Sequence, residues 1–379
     1  LHGFAECKHG QNGKDSIPAW EAATVAKEKQ IVYSVSGNEC KIIIKRGLAE
    51  EVCNYLPLEG VVRIAIVTDS NVAPLYLAKI KKQLCDAVQV YSYVLQAGEQ
   101  NKTMASVQQL YGFFDEAGIT RTDLIIALGG GVVGDITGFA AATFLRGVPI
   151  VQMPTTLLAM TDSSIGGKTG VDLPSGKNRV GAFFQPHRVL IDPEFLSSLP
   201  SREYACGMGE VIKYACIKDK RLFESLKSGV DSEEMICLCA GIKADTVQKD
   251  PFDTSERKLL NFGHTVGHAL ERLYGYSVYS HGEAVAAGMC MLRRANILWG
   301  GIAKAKCDEI EELCRRYSLP VYIPFDERLK EYICGDKKLE GRQLKLVVLE
   351  DIGRAKIVSV LPEELYCTLT EQYAAKPAV

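Results

Sequence analysis

The sequence has no run of about 18 apolar residues, which excludes an ordinary transmembrane helix. It has no surplus of charge: 44 Lys and Arg stand against 46 Asp and Glu, and a formal net charge of −2 offers no basic field to nucleic acid or an anionic membrane. An anionic ligand must therefore be held by local Lys, Arg and His groups. There is no C-x-x-C, and the thirteen cysteines are odd in number and scattered from Cys7 to Cys367, with Cys237 and Cys239 the only close pair. That spacing argues against a disulfide framework and for reduced, mostly buried thiols in a cytoplasmic protein. No internal repeat and no low-complexity segment interrupts the chain. Its opening, LHGFAECKHGQNGKDSIPAW, lacks an apolar segment of signal-peptide type.

What is present is a chain of 379 residues, longer than one domain usually runs, so two domains are expected. The first half alternates between two periodicities. Lys41–Lys45, Arg63–Thr68, Val88–Leu95, Asp123–Leu128 and Pro149–Met153 read as short, largely apolar strands. Thr103–Ala117, with Val107, Leu110, Tyr111 and Phe114 on one face, and Val132–Leu145 read as helices between them. Strands alternating with helices predict a Rossmann-like α/β domain whose parallel sheet is covered on both faces. Beyond about residue 200 the pattern becomes helical, over Arg202–Lys218, Glu233–Lys249, Thr265–Tyr274, His281–Leu298 and Lys304–Tyr317. Only Leu344–Leu349 and Ala355–Val360 suggest a late hairpin. The expected division is an α/β domain over 1–200 and a mainly helical domain over 201–379, meeting at Leu199–Pro200–Ser201. A cleft between two such domains is a natural ligand site.

The strand ending at Leu128 runs straight into Gly129-Gly130-Gly131-Val132-Val133-Gly134-Asp135, which satisfies G-x-G-x-x-G between a strand and a helix. Glycines there let the backbone approach a diphosphate, and the free N–H groups of the first helical turn attract it. The usual fingerprint also wants an acidic residue about 20 positions later, to bind ribose. Pro149–Thr155 supplies none, so the better candidate lies upstream at Asp69, with Glu99 and Lys102 in the loop Gly98–Thr103 as further contacts. Asp162–Thr169, DSSIGGKT, approaches a phosphate loop, but Asp162 stands where that loop needs its first glycine. Lys168 beside two glycines still suits an anion.

In the helical half, His264 and His268 are four apart and project from one helix face. Alone, such a pair fits surface or capping histidines as well as a metal. His281 at the start of another helix, and Glu210 in the helix around Gly207–Tyr214, enlarge the set. One Glu with two His is a familiar catalytic zinc set that leaves coordination positions open. Spacing does not decide which two histidines bind. Glu210 and Lys213, three apart, also fit a mere surface ion pair.

Taken together, GGGVVGD, AATFLRG, PTTLLAMTDSSIGGKTG, GKNRVGAFFQP, GEVIKY, LNFGHTVGHALE and HGEAV resemble, in this order, the sugar-phosphate cyclases and in particular the 3-dehydroquinate synthase family, from about Asp69 to Lys338. The resemblance implies an NAD that is used and regenerated in each turnover and one divalent cation, zinc or cobalt. It implies Glu210, His264 and His281 as metal ligands, with His268 on the substrate phosphate side. With Asp69, Glu99 and Lys102 from the reading above, the expected dinucleotide residues are Gly129, Gly130, Gly131, Val132, Asp135, Thr155, Thr156, Asp162 and Lys177, the last on the nicotinamide side. The implied reaction turns a seven-carbon keto-acid phosphate, 3-deoxy-D-arabino-heptulosonate 7-phosphate, into 3-dehydroquinate through oxidation, loss of phosphate, return of hydride and an aldol ring closure. Lys168, Asn261, His268, Lys338 and Arg146 are implied as a phosphate nest. Arg146 would reach in from a partner subunit, so a homodimer is implied. Asp162, Lys213 and Asn178 would hold ring hydroxyls, and Lys243 and Arg257 would lie near the carboxylate. Sister cyclases act on sugars without a carboxylate; Arg257, Lys243, Asn261 and His268 favour dehydroquinate formation. Val171–Pro174 is looser than the Asn-His-Pro common in the family before Gly-Lys-Asn, and Gly209 also departs from the family pattern. The first 40 residues and the segment after Lys338 match weakly.

Overall fold

The computed structural model describes residues 28–334, apart from 85 and 87, and residues 343–374. Strands β1 (Lys29–Val35) and β2 (Asn38–Ile44) form an antiparallel hairpin. β3 (Arg63–Asp69), β4 (Gln89–Leu95), β5 (Leu124–Gly129) and β6 (Ile150–Pro154) follow. β7 (Lys168–Leu173) and β8 (Gly176–Phe183) pair with each other as a separate antiparallel hairpin, and β9 (Arg188–Ile191) returns to the main sheet. That sheet has seven strands in the order β1-β2-β9-β6-β5-β3-β4, parallel everywhere except between β1 and β2.

The two faces of the sheet can be read along β3 and β5. Ile64 and Ile66, with Leu124, Ile126 and Leu128, point to one face; Ala65, Val67, Ile125 and Ala127 point to the other. The second face is covered by α2 (Met104–Glu116), through Val107, Leu110 and Phe114, and by α3 (Gly131–Thr143), through Val133 and Ile136. α1 (Ala78–Leu84) packs on the first face, and that face continues without a break into the helical half. Met208, Val211 and Ile212 of α4 (Ser201–Ile217) belong to the same buried cluster as Ile64 and Leu128.

The helical half continues with α5 (Lys220–Ser228), α6 (Ser232–Lys249), α7 (His264–Leu273) and α8 (His281–Met291). Asp219 and Asp231 cap α5 and α6, and Ser280 with Glu283 forms a reciprocal capping box at the start of α8. The periodicity predicted one helix over His281–Leu298, but α8 stops at Met291 and gives way to a short turn and a wide turn at Asn296–Gly300. Likewise α3 ends at Thr143, because the turn Phe144–Arg146 puts Leu145 and Arg146 at φ 50° and 67°. The late hairpin is present, as Leu344–Asp351 with Arg354–Val360. Among the described residues no helix is long and apolar enough to cross a membrane.

Helix α8 lies against α4 at unusually short range. A Cβ on Gly282 would fall 1.8 Å from the Cys206 carbonyl oxygen, and one on Gly209 would fall 2.5 Å from the Gly282 carbonyl oxygen. Two glycines back to back let the helix axes approach, and each is next in sequence to a site residue, Glu210 or His281.

Candidate active site

The parallel strands end on one side of the sheet, where Asp69, Gly129 and Pro154 sit beside the helical half. Ligands of open α/β sheets bind at such an edge. Gly130 caps α3, and the turn is tightly walled. A Cβ on Gly129 would meet Val133 at 2.6 Å, one on Gly130 would meet Thr156 at 3.0 Å, and one on Gly131 would meet Ser163 Oγ at 3.0 Å. That Ser163 hydroxyl is buried and, among the described residues, has no hydrogen-bond partner. A bare cradle at a helix N-terminus with an unpaired hydroxyl beside it fits a phosphate-bearing dinucleotide.

Around the turn, Thr155 donates its N–H to Gly129 O at 3.0 Å, and Thr156 Oγ1 accepts from the Ala159 N–H. Val132 lies in the first turn of α3. Asp69 accepts from the Asn71 and Val72 N–H groups and so shapes the loop after β3. Lys102 is buried, with Nζ 2.5 Å from Asp135 Oδ2 and 2.6 Å from Asn178 Oδ1. Burial pushes the Asp135 carboxyl up to about 6, with Lys102 opposing it. Burial alone would lower the Lys102 ammonium, but Asp135 and Glu99 outweigh it and raise it.

In the helical half, Glu210 and Lys213 are 0% and 1% exposed, so their pairing is an interior contact and the surface-pair alternative is overturned. Glu210 Oε2 takes Lys213 Nζ. Glu210 Oε1 is buried and, among the described residues, has no hydrogen-bond partner, and the Nε2 atoms of His264 and His281 each lie 3.6 Å from it. A carbonyl can only accept, so His264 Nδ1–H donates to Phe262 O at 3.1 Å, and Nε2 is left as a lone pair facing Glu210. Burial first, then Lys213 and the other imidazoles, hold His264 well below the usual histidine range. The ligand atoms of Glu210, His264 and His281 all lie within 4.8 Å of one another. An orphaned carboxylate oxygen facing two imidazole nitrogens is a donor set that fits a divalent cation, which would satisfy all three.

His268 is the most exposed of the three histidines. Its ring centroid is 5.2 Å from that of His264 and 5.8 Å from that of His281. Loss of water around the ring, then His281, pushes it down to about 4. His281 Nδ1 faces Glu271 Oε2 at 3.4 Å. Burial alone would raise the Glu271 carboxyl, but the hydrogen bond and charge of His281 and the charge of Lys177 carry it down to about 2. Burial alone would also lower His281; Glu271 and Glu210 outweigh it and raise it.

A second charged group closes the site from the sheet side. Asp162 accepts from Lys243 and from the Tyr214 hydroxyl. Burial opposes its ionised form, yet Lys243 and Lys213 carry its carboxyl well below the usual range. Burial, with Arg257 and Lys213, lowers the Lys243 ammonium, and Asp162 only partly restores it. Arg257 is buried and, among the described residues, has no carboxylate partner. Its guanidinium donates to Pro251 O at 2.7 Å and Gly166 O at 3.2 Å, while its backbone N–H is held by Asp250.

Not every expected residue joins this centre. Lys168 pairs with Asp253 at 2.5 Å on an exposed edge, and Asn261 is exposed at the end of the turn before α7. Arg146 is exposed and, among the described residues, has no hydrogen-bond or ion-pair partner. Lys338 lies outside the described residues. Three site neighbours were missed. Glu271 could have been found, since it stands three after His268 and seven after His264 on one helix. Tyr214 and Tyr33 carried no signal. Tyr33, from β1, accepts from the Gly166 N–H and donates to Gln185, so it braces the turn before Lys168.

A parallel sheet ending in a glycine turn, joined to a helical half, is the architecture of the sugar-phosphate cyclases. One such structure, 2-deoxy-scyllo-inosose synthase complexed with carbaglucose-6-phosphate, NAD+ and Co2+, superposes with a TM-score of 0.82 at 24% identity, covering 90% of this chain and 99% of that one. Another, 2-epi-5-epi-valiolone synthase from Streptomyces hygroscopicus subsp. jinggangensis with NAD+ and Zn2+ bound, gives 0.80 at 26% identity, covering 91% and 100%. In sequence, residues 92–206 match the 3-dehydroquinate synthase N-terminal family model and residues 207–339 the C-terminal one. The 3-dehydroquinate synthase of Clostridium acetobutylicum is 41% identical over 349 residues, 89% of this chain and 98% of the relative. The chain belongs to the 3-dehydroquinate synthase family, and is a cyclase of the lyase type.

Proposed function

We propose that the chain converts 3-deoxy-D-arabino-heptulosonate 7-phosphate into 3-dehydroquinate and phosphate, with NAD and one divalent cation, zinc or cobalt, bound. The observation that carries the cofactor reading is the convergence of His264 and His281 on the unpaired Glu210 oxygen, in a chain of this family. When bound, the cation would supply Lewis acidity to substrate oxygens and the NAD a hydride acceptor and donor.

The protein's own groups do the rest. Arg257, buried with carbonyls as its guanidinium partners among the described residues, keeps charge available for the substrate carboxylate, with Lys243 beside it. Asp162, held ionised by Lys243 and Lys213, accepts from ring hydroxyls, and Asn178 and Lys213 orient them. Lys168, Asn261, His268 and Lys338 hold the phosphate. The glycine turn Gly129–Gly131 with Val132, Thr155 and Thr156 seats the diphosphate. Asp69, Glu99, Lys102, Asp135, Asp162 and Lys177 fix the rest of the dinucleotide. Exposed Arg146 completes the phosphate site of a partner copy, which makes the working unit a homodimer in the cytoplasm. On this reading the dinucleotide and metal domains divide near residue 200.

The test is His264→Ala, assayed for metal content and for phosphate release from the heptulosonate phosphate. Loss of both is expected; a metal-replete, active variant refutes the ligand set.

A further inference from the structure

One buried carboxylate beside the cation site has no part in the chemistry above. Glu271, on α7, is 2% exposed. Its Oε2 lies 3.4 Å from His281 Nδ1 and its Oε1 lies 3.1 Å from Lys177 Nζ. Lys177, on β8, also reaches Glu99 Oε1 at 3.2 Å and stands over the Tyr276 ring, 4.8 Å from its centroid. Glu99 follows β4 in the sheet half, whereas Glu271 and Tyr276 belong to the helical half. A file of alternating charge thus runs from Glu99 through Lys177 and Glu271 to His281, whose far nitrogen faces Glu210.

A carboxylate can only accept, so the proton between Glu271 and His281 sits on Nδ1. In the neutral ring that a cation would need, this leaves Nε2 as the lone pair aimed at Glu210, and it fixes the heading of the ring. The same carboxylate anchors Lys177 on the other side. A second cation held by His268, Glu271 and His281, whose ligand atoms also lie within 4.8 Å of one another, is the competing use of this group. The Lys177 ammonium already on Glu271, and the Nδ1 hydrogen pointing at it, oppose a cation there.

We propose that Glu271 is a positioning residue: it sets the tautomer and direction of His281 and, by sharing its carboxylate with Lys177, makes cation binding and dinucleotide binding interdependent. This rests on the reading of Glu210, His264 and His281 as cation ligands and of Lys177 as a dinucleotide contact.

The test uses the full chain, freed of metal, with zinc affinity measured by chelator competition in the absence and presence of NAD. In the parent, NAD should tighten zinc, and by reciprocity zinc should tighten NAD. Glu271→Ala should weaken zinc roughly 10- to 100-fold. Glu271→Gln, which keeps an acceptor for Nδ1–H, should recover part of that loss. Both variants should lose the linkage to NAD. Urea unfolding of the metal-free proteins checks folding, and the glutamine variant keeps the test open if the alanine variant does not fold. Variants with parental zinc affinity, or with undiminished linkage, overturn the proposal while leaving the cation site standing. A parent that binds no zinc overturns the cation site and the proposal together.

Discussion

Gly282→Ala adds one methyl group at the contact between α4 and α8. In an unconstrained helix this change is favourable by about 1 kcal/mol, because alanine is the better helix former. Here the new carbon would sit 1.8 Å from the Cys206 carbonyl oxygen, where real contacts of this kind stay beyond 3.0 Å. The obstacle is backbone, so no side chain can swing away. The helices must part by about an ångström, or the first turn of α8 must rotate. Overpacking of this sort costs roughly 1–3 kcal/mol, so the net sign reverses. The displaced turn carries His281, whose Nε2 is 3.6 Å from Glu210 Oε1. Functional constellations tolerate errors of about 0.5 Å, so the same mutation should weaken zinc at least about tenfold. The assay pairs urea unfolding of the metal-free protein with chelator competition. A Gly282→Ala protein that is stabilised and binds zinc like its parent would refute both the packing argument and its link to the site.

Arg257→Ala should cost roughly 2–4 kcal/mol in kcat/KM for the carboxylate-bearing substrate, the scale for leaving that charge unpaired; an unchanged kcat/KM contradicts its assignment. Arg146→Ala should abolish most activity while NAD titration stays parental. Mixing it with His264→Ala subunits should restore activity in hybrid dimers, and no recovery would show that Arg146 does not serve a partner. Asp250 accepts the N–H groups of Thr254, Ser255 and Arg257, and these bonds lower its carboxyl below the usual range despite the opposing effect of burial. Its folded value is depressed, so its contribution is complete above the unfolded value near 4 and is lost as pH falls below it. Asp250→Asn should therefore be less stable than the parent at pH 7, with the gap narrowing below about pH 4 in urea titrations; a gap that stays constant with pH argues against the bonded carboxylate.

The sheet was legible where burial is two-sided. Asp123–Leu128 and Arg63–Thr68 are continuous apolar runs, and only a covered parallel strand asks for that. β7 and β8 were not recognised as strands. Lys168, Thr169, Gly176, Lys177 and Asn178 show no apolar alternation, since the hairpin is held by its own ladder and by charges at its edges. α5 was missed because nine residues, Lys220–Ser228, give too few turns for periodicity to stand out. In the site, His264 and His281 were visible as rare residue types at helix starts. Glu271 shares a helix face with His264 and His268, so its spacing was readable, but a lone Glu in a helix is ordinarily a solvated charge and only tertiary packing shows that this one is buried.

The hydrophobic cluster that joins Ile64, Ile66 and Leu128 of the sheet to Met208 and Val211 of α4 also limits how the chain can be dissected. Cut near residue 200, the sheet fragment would display to water the part of that side which α1 leaves uncovered, and the helical fragment would lose the floor it stands on. The sheet half keeps a second interior of its own on the α2 and α3 face, around Val67, Val107, Phe114 and Ile136, but the first face is shared with the helical half. The two halves should therefore unfold together, and fragments expressed separately should be prone to aggregate through the face they share.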